Sequence, residues 1–345
     1  MRLRWAYGLI AAILVAIGGY TAFWYALKSR VERGVADWAA ERRALGWQVG
    51  YTLKPVTGFP YRLVVDLAEI AIADPTHPQA WELRLPAVEV VTHPWTPRHL
   101  MLLGSGRATL DWGPANARSR LRAMSKEARA SLVLNRNDRP LRFSLEAKQP
   151  WLDLAFPRFN GRFMAWGERA ELHLRDNRGA AEPAKTAVDL ALSVDQLGTT
   201  MISPGEPFGP TIARLSVDLG LTGPLPAPTV ARWRDDGGTV EMRRAALRWG
   251  PFDATANGTL ALDAQMRPIG AMTAEARGWD AVLDKLAENR HMPRGQARAL
   301  KLALGLLSKP GPNGSKVLTA PLAAQEGKLF VGPVAVLDLP PLPLE

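Results

Sequence analysis

The sequence predicts a mainly β fold of the β-rich α+β kind: a curved antiparallel meander sheet led by a transmembrane and stalk helix and closed by two short helices. Three observations carry this. A long apolar helical segment opens the chain; the hydrophobic period then falls from about 3.6 to about 2 between Trp47 and about Arg277; it becomes helical again from Trp279. Strand signals spaced this evenly, with no series of helices between them, point to antiparallel neighbours, because parallel strands need long crossovers.

The opening segment is the first element. Arg2 and Arg4 precede an uncharged run from Trp5 to Leu27, and Lys28, Arg30 and Arg33 close it. As a helix the run is roughly 34 Å long, enough for a hydrocarbon core of about 30 Å. Trp5 and Tyr7 at one end and Tyr20, Phe23, Trp24 and Tyr25 toward the other suit interfacial anchoring. Residues 1–30 are therefore read as a membrane anchor with its apolar ends at Trp5 and Leu27. A cleaved signal peptide is the alternative, but its apolar stretch is shorter and precedes a small-x-small site. Here Gly18-Gly19-Tyr20 and Thr21-Ala22-Phe23 lead into bulky aromatics, which favours an uncleaved anchor. The flanking basic residues are nearly balanced, so the positive-inside rule does not choose an orientation. An anchor followed by a large domain acts as an export signal, which places the rest of the chain outside the cytoplasm.

Residues 31–46 read as an amphipathic stalk helix, with Val31, Val35, Trp38 and Leu45 on one stripe and Arg42 interrupting it. Residues 47–345 then read as one β-rich domain. Its strand signals include Tyr61–Leu67, Glu69–Asp74, Ala130–Leu134 and Leu141–Glu146, the last two flanking a polar hairpin loop, Asn135 to Pro140. Further signals are Glu171–Leu174, Val188–Val194, Ile212–Leu219, Val240–Trp249, Thr255–Leu262 and Met272–Ala276, with a weak helix between Asn116 and Ala128. An internal echo supports repeated strand-and-turn units: Arg107-Ala-Thr-Leu-Asp-Trp-Gly-Pro114 matches Arg244-Ala-Ala-Leu-Arg-Trp-Gly-Pro251 at six of eight places. Phe208-Gly209-Pro210 and Val331-Gly332-Pro333 share its ending, where Pro stops ladder pairing for want of an N–H. A helical pair at about 279–308 follows, with Trp279, Val282, Leu283 and Leu286 on one face and Leu300, Leu304 and Leu307 on the other helix. Gly327–Val331 is a last strand, and the Pro-rich tail from Leu339 to Leu344 is extended.

Composition narrows the chemistry. The 345 residues contain no cysteine, which removes disulfides and thiolate chemistry. Net charge is +10, of which the anchor flanks supply +4 (five basic residues less Glu32). The remaining basic residues are scattered among acidic ones, as in Arg232-Trp233-Arg234-Asp235-Asp236, which favours contact with anionic lipid headgroups beside an anchor and argues against nucleic acid. Asn257-Gly258-Thr259 and Asn313-Gly314-Ser315 fit the glycosylation sequon and fit turns equally well. Of the five histidines, His77, His93, His99, His173 and His291, the pair His93 and His99 lies in a proline-rich stretch read as a rigid loop, without zinc spacing. Ser105 between Gly104 and Gly106 makes no nucleophile elbow, and Asp235-Asp236-Gly237-Gly238 reads as a hairpin turn rather than a calcium loop. No catalytic, cofactor or metal site is assigned.

The most distinctive local motif is Gly58-Phe59-Pro60-Tyr61-Arg62, read as a tight turn feeding a strand, with Phe59 and Tyr61 supplying core area. Together with the anchor, a Trp-containing helix, the β-rich middle and the closing Pro321-Leu322 … Gly327-Lys-Leu-Phe-Val-Gly-Pro333, it resembles the bacterial DUF2125 family over nearly the whole chain. Asn257–Leu262 through Pro268-Ile269-Gly270 to Gly278 is similar, more weakly, to AsmA-like envelope proteins. The first resemblance implies a fold and a place at the bacterial inner membrane, and transfers no functional residues. The second implies a curved sheet with an apolar groove for acyl chains. The expectation is an inner-membrane-anchored periplasmic protein that binds or conveys lipid without a cofactor. The alternative is a tethered scaffold for other envelope proteins. Core-facing and lipid-facing positions share one alternation, so the pattern names no groove residue.

Overall fold

The computed structural model describes residues 2–77, 80–114, 116–156, 161–178, 185–201, 208–225, 229–288, 292–311, 316–332 and 334–342. His291, the sequon at Asn313, Pro333 and the end of the tail lie outside them. The elements in chain order are α1 (Arg2–Ala44), β1 (Gln48–Leu53), β2 (Leu63–Asp74), β3 (Trp81–His93), β4 (Thr96–Trp112), β5 (Ser119–Leu134), β6 (Pro140–Lys148), β7 (Trp151–Phe156), β8 (Gly161–Trp166), β9 (Arg169–Asp176), β10 (Val188–Thr199) and β11 (Ile212–Leu221). Then come α2 (Val230–Asp235), β12 (Val240–Trp249), β13 (Phe252–Leu262), β14 (Pro268–Arg277), α3 (Trp279–Glu288), α4 (Arg294–Leu307), β15 (Ser308–Pro310), β16 (Lys316–Gln325), β17 (Lys328–Val331) and β18 (Val334–Asp338). The fold is mainly β and antiparallel, with a long first helix and two short helices near its end. The region read as one domain over 47–345 divides between two compact units: Met1–Arg139 with Leu152–Arg162, and Pro140–Trp151 with Phe163–Glu345.

In the first unit α1 is a single helix of 43 residues, with no break between the anchor and the stalk. It ends in a Schellman closure: Trp47 N–H bonds the Arg42 carbonyl, Gly46 N–H bonds that of Arg43, and Gly46 takes a φ of 90°. Strands β1 to β5 follow as a meander with antiparallel pairing between each consecutive pair. Its register shifts at four places that bend it: between Gly50 and Thr52 on β1, opposite the stretch where Glu69 takes a φ of 52°, between Arg84 and Val88 and between Val91 and His93 on β3, and between Gly104 and Gly106 on β4. Its core is the cluster Trp24, Val56, Leu63 and Val65, with Leu27, Val31, Leu53, Leu67 and Val90 packed on it. Thus α1 covers the start of β2. The stripe against the sheet contains Trp24, Val31 and Ala39; Trp38 and Leu45, assigned to it by sequence, are exposed.

Two further expectations fail here. Asn116–Ala128 is not helical: β5 pairs with β4 at thirteen registered positions from Trp112↔Ser119 to His99↔Val133. Ladder pairing outweighs the weak helix preference of its Ala, Arg, Lys and Glu. The segment around His93 and His99 is no rigid loop but the end of β3 and the start of β4, joined by Pro94-Trp95 with His93 opposite Thr96.

The second unit has strand order β6-β9-β10-β11-β12-β13-β14-β16-β17-β18, antiparallel throughout. The echoed Gly-Pro endings form a corner in it: Trp249 Nε1–H donates to the Gly209 carbonyl at 3.0 Å, and the Phe208 and Trp249 rings lie 4.8 Å apart. Asp235–Gly238 is not a hairpin turn but the end of α2, where the Asp236 N–H bonds the Arg232 carbonyl and the Asp236 carboxylate binds the Arg232 side chain. Thr229 caps the other end, and Trp233 is buried, donating to the Thr222 carbonyl. Helices α3 and α4 pack Trp279 and Leu283 on Leu318, with Phe252, Leu300 and Leu304 around them. This cluster sits at one margin of the sheet.

Candidate functional site

The Gly58–Arg62 motif is a docking element for α1. Gly58 has a φ of 103°, and a Cβ there would stand 2.6 Å from the Arg62 carbonyl oxygen, so only glycine fits. The turn closes through Arg62 N–H to the Gly58 carbonyl, 3.1 Å, with a cis peptide between Phe59 and Pro60. Tyr20 donates its hydroxyl to the Pro60 carbonyl, and Trp24 Nε1–H donates to that of Arg62 at 3.2 Å. Phe59 meets the Trp24 ring edge-on at 5.4 Å and stacks on Tyr25 at 6.2 Å. One helical turn after Lys28, Glu32 accepts the Val56 N–H at 3.1 Å. Phe59 and Tyr61 do not supply core area as expected: they are 47% and 71% exposed. Trp24 takes the core position, 2% exposed. On the other side His93 Nδ1 bonds the Tyr61 carbonyl at 2.9 Å and its ring stacks on Trp95, which is 60% exposed.

The second candidate is a face of the sheet in the second unit. Cross-strand register places Leu172, Leu192, Val217 and Ala245 in one row and Leu174, Leu190, Leu219 and Met242 in the next. The rows continue through Phe143 and Leu145 at one end and through Ala256, Ala274, Met272 and Leu322 toward the other. All of these side chains are half-buried, and none reaches full burial. A sheet face packed under a second layer would bury its central leucines. Full burial returns on this face at Leu318, under α3.

The opposite face is charged and paired. Arg169 bridges Glu146 and Glu171, Arg214 faces Asp195, and Arg243 reaches both Asp218 and Asp189 at 2.6 and 2.8 Å. Burial alone would raise the Asp189 pKa, yet hydrogen bonds from Asn177, Arg243 and Thr186 hold it below the usual carboxylate value. In the first unit Asp153, 2% exposed, receives Arg162 and Arg122. Hydrogen bonding from Arg162 first, then from Arg122, outweighs burial and holds its carboxyl low. These are structural pairs on regular strands rather than a poised acid and base.

The remaining candidates take structural places. His99 bonds Ser131 Oγ across the β4–β5 ladder, and His173 bonds Ser144 Oγ across β6–β9. Among the described residues no group of three or more His, Cys, Asp or Glu could hold a metal. Ser105 lines a shallow cleft of about 380 Å³ over the bulges, shared with Lys54, Asp66, Glu89 and Glu127. Sequence reasoning missed Trp24 as the partner of the motif, Trp95 beside it, and every apolar-face residue. The aromatic at each turn was a usable signal; the face needed the register.

The stretch Trp5–Ala44 of α1 is long and apolar enough to cross a membrane, and the most apolar 18-residue window within it is unburied by the protein. No curated protein and no solved structure matches the chain. A family model described as an uncharacterized protein conserved in bacteria matches residues 24–340, from the buried Trp24 through the last strand, and so takes in the helix from Trp24 onward, the Gly58–Arg62 turn and the strands of both units. The chain belongs to the DUF2125 family of bacterial proteins.

Proposed function

We propose that this protein is a single-pass inner-membrane protein of the bacterial envelope, with its sheets in the periplasm, and that the apolar face of the second unit receives lipid acyl chains in the AsmA-like manner. The observation that carries this is the half-buried apolar face running in register from Phe143 to Leu322. Each methylene laid on such a face gains about 0.8 kcal/mol, so a chain is held without any catalytic group. The paired polar face opposite gives the sheet a wet side and keeps its orientation unambiguous. The membrane helix supplies nearness to lipid.

The test uses the full-length protein, purified in mild detergent, with retained lipid measured by native mass spectrometry. Leu192→Glu and Met272→Glu put a charge on the apolar face, whereas Thr273→Glu puts it on the exposed side of the same strand. Retained lipid falls in the first two and not in the third; equal retention in all three sinks the groove. A reporter active only after export, fused after Leu45, is active in this reading, and activity of a cytoplasmic reporter at the same site overturns the periplasmic placement. A scaffold role has one observation of its own: α4 turns Leu302 and Leu306, 74% and 88% exposed, away from its packed face. A stable protein complex lost in Leu302→Glu, with no lipid on the sheet, would favour it.

A further inference from the structure

The Gly58–Arg62 turn runs down the membrane helix rather than away from it. Val56 is bonded at Glu32, Arg62 at Trp24 and Pro60 at Tyr20, so the segment descends twelve helical residues, about 18 Å of rise. Its tip lies below Lys28, Arg30 and Arg33 and beside the uncharged run. Tyr20 is seven residues inside the end of that run, about 10 Å. The stretch left beyond it, Trp5 to Gly19, makes only about 22 Å of helix, short of a hydrocarbon core of about 30 Å. A bilayer that covers the apolar helix therefore reaches the turn.

The chemistry of the tip fits that depth. The carbonyls of Gly58, Pro60, Tyr61 and Arg62 accept hydrogen bonds from Arg62 N–H, Tyr20, His93 Nδ1–H and Trp24 in turn, and Pro60 has no N–H to satisfy. Irregular backbone persists at membrane depth where the protein satisfies its polar groups in this way. The side chains left outside are Phe59, Tyr61 and Trp95, the kinds that settle at the headgroup boundary, with exposed Arg62 beside them, whose guanidinium suits the headgroup side, and with exposed Phe23 and Tyr25 next to them on the helix.

We propose that the tip formed by Phe59, Tyr61 and Trp95 is inserted into the headgroup–acyl boundary of the leaflet on the domain's side, so that the bilayer grips the first unit by its sheet as well as by its helix. The proposal rests on the membrane-anchor reading. Because the chain has no cysteine, single labels are clean. Full-length Tyr61→Cys, Trp95→Cys, Ile13→Cys and Arg118→Cys, each carrying an environment-sensitive fluorophore, are reconstituted in vesicles of phosphatidylethanolamine and phosphatidylglycerol containing a lipid with a nitroxide high on its acyl chain. Arg118 is exposed at the far end of the β4–β5 ladder and serves as the dry-land control. Both substituted tip residues are exposed, and an unchanged strand signal in circular dichroism certifies the fold. Quenching at 61 and 95 several-fold above that at 118 is the expected result. Quenching at 13 with 61 and 95 as protected as 118 overturns the inserted tip and leaves the anchor standing. No quenching at 13 overturns the anchor, and this inference with it.

Discussion

Trp24 shows how one residue can join a long apolar helix to a sheet. Its indole is buried against Val56, Leu63 and Val65 while its N–H holds the Arg62 carbonyl. Trp24→Ala removes both, and should cost about 3–5 kcal/mol, seen as a lower melting temperature of the full-length protein in detergent. Gly58→Ala should cost about 1–3 kcal/mol, because the added Cβ meets the Arg62 carbonyl in a backbone region that strains any L-residue. Asp153 is one of the carboxylates that shape the acid limb, with Asp74, Asp189 and Asp263. Its pKa is lowered in the fold from 3.8, so its contribution is complete above that value and is lost as pH falls through the lower folded pKa. Asp153→Asn should therefore be destabilised at neutral pH, with Arg122 and Arg162 left without their shared carboxylate, and should lose the part of the stability decline that the parent shows below pH 3.8. Thermal melts across pH for the two proteins measure it.

Among the elements, α1 carries two roles along one uninterrupted helix, and the sequence shows the first more clearly than the second. Its apolar run is legible because lipid asks only for length and absence of charge. The side that packs on the sheet is narrower, and Trp38, which looks like its anchor, is exposed while Ala39 is buried. Close helix–sheet approach there selects a small residue, which no hydrophobicity pattern marks. The long strands β3, β4 and β5 were poorly legible for a related reason: their partner strands specify them more than their own composition does. The Gly-Pro corners are the reverse case, since the repeat that flagged them is a packing device. A Cβ at Gly278 would stand 1.8 Å from the Pro251 carbonyl oxygen. Gly278→Ala should lower stability of the second unit by about 2–4 kcal/mol, read as an earlier unfolding transition in calorimetry.

For the whole molecule, the anchor is not a detachable leash. A chain shortened to begin at Gly34 would lose the buried Trp24 from the core of the first unit and the partly buried Leu27 and Val31 from beside it, where full burial of such a side chain contributes about 1.5–3 kcal/mol. Such a protein should melt earlier than the full-length form and aggregate through the uncovered faces of Leu63 and Val65, a difference that light scattering during a thermal ramp measures. The apolar helix, long enough to cross a membrane, and the folding of the first unit are thus coupled. By itself the sequence determined the mainly β class, the apolar helix, the helical pair near residues 279–308 and the family, because alternation, unbroken hydropathy and turn chemistry are local properties. The tertiary structure alone decided that the chain forms two units, that Phe59 and Tyr61 point outward beside Trp95, and that one sheet face is apolar from strand to strand without being buried. Those depend on register and on what covers a face, and a period of two is the same whether its apolar side meets a core or stands open.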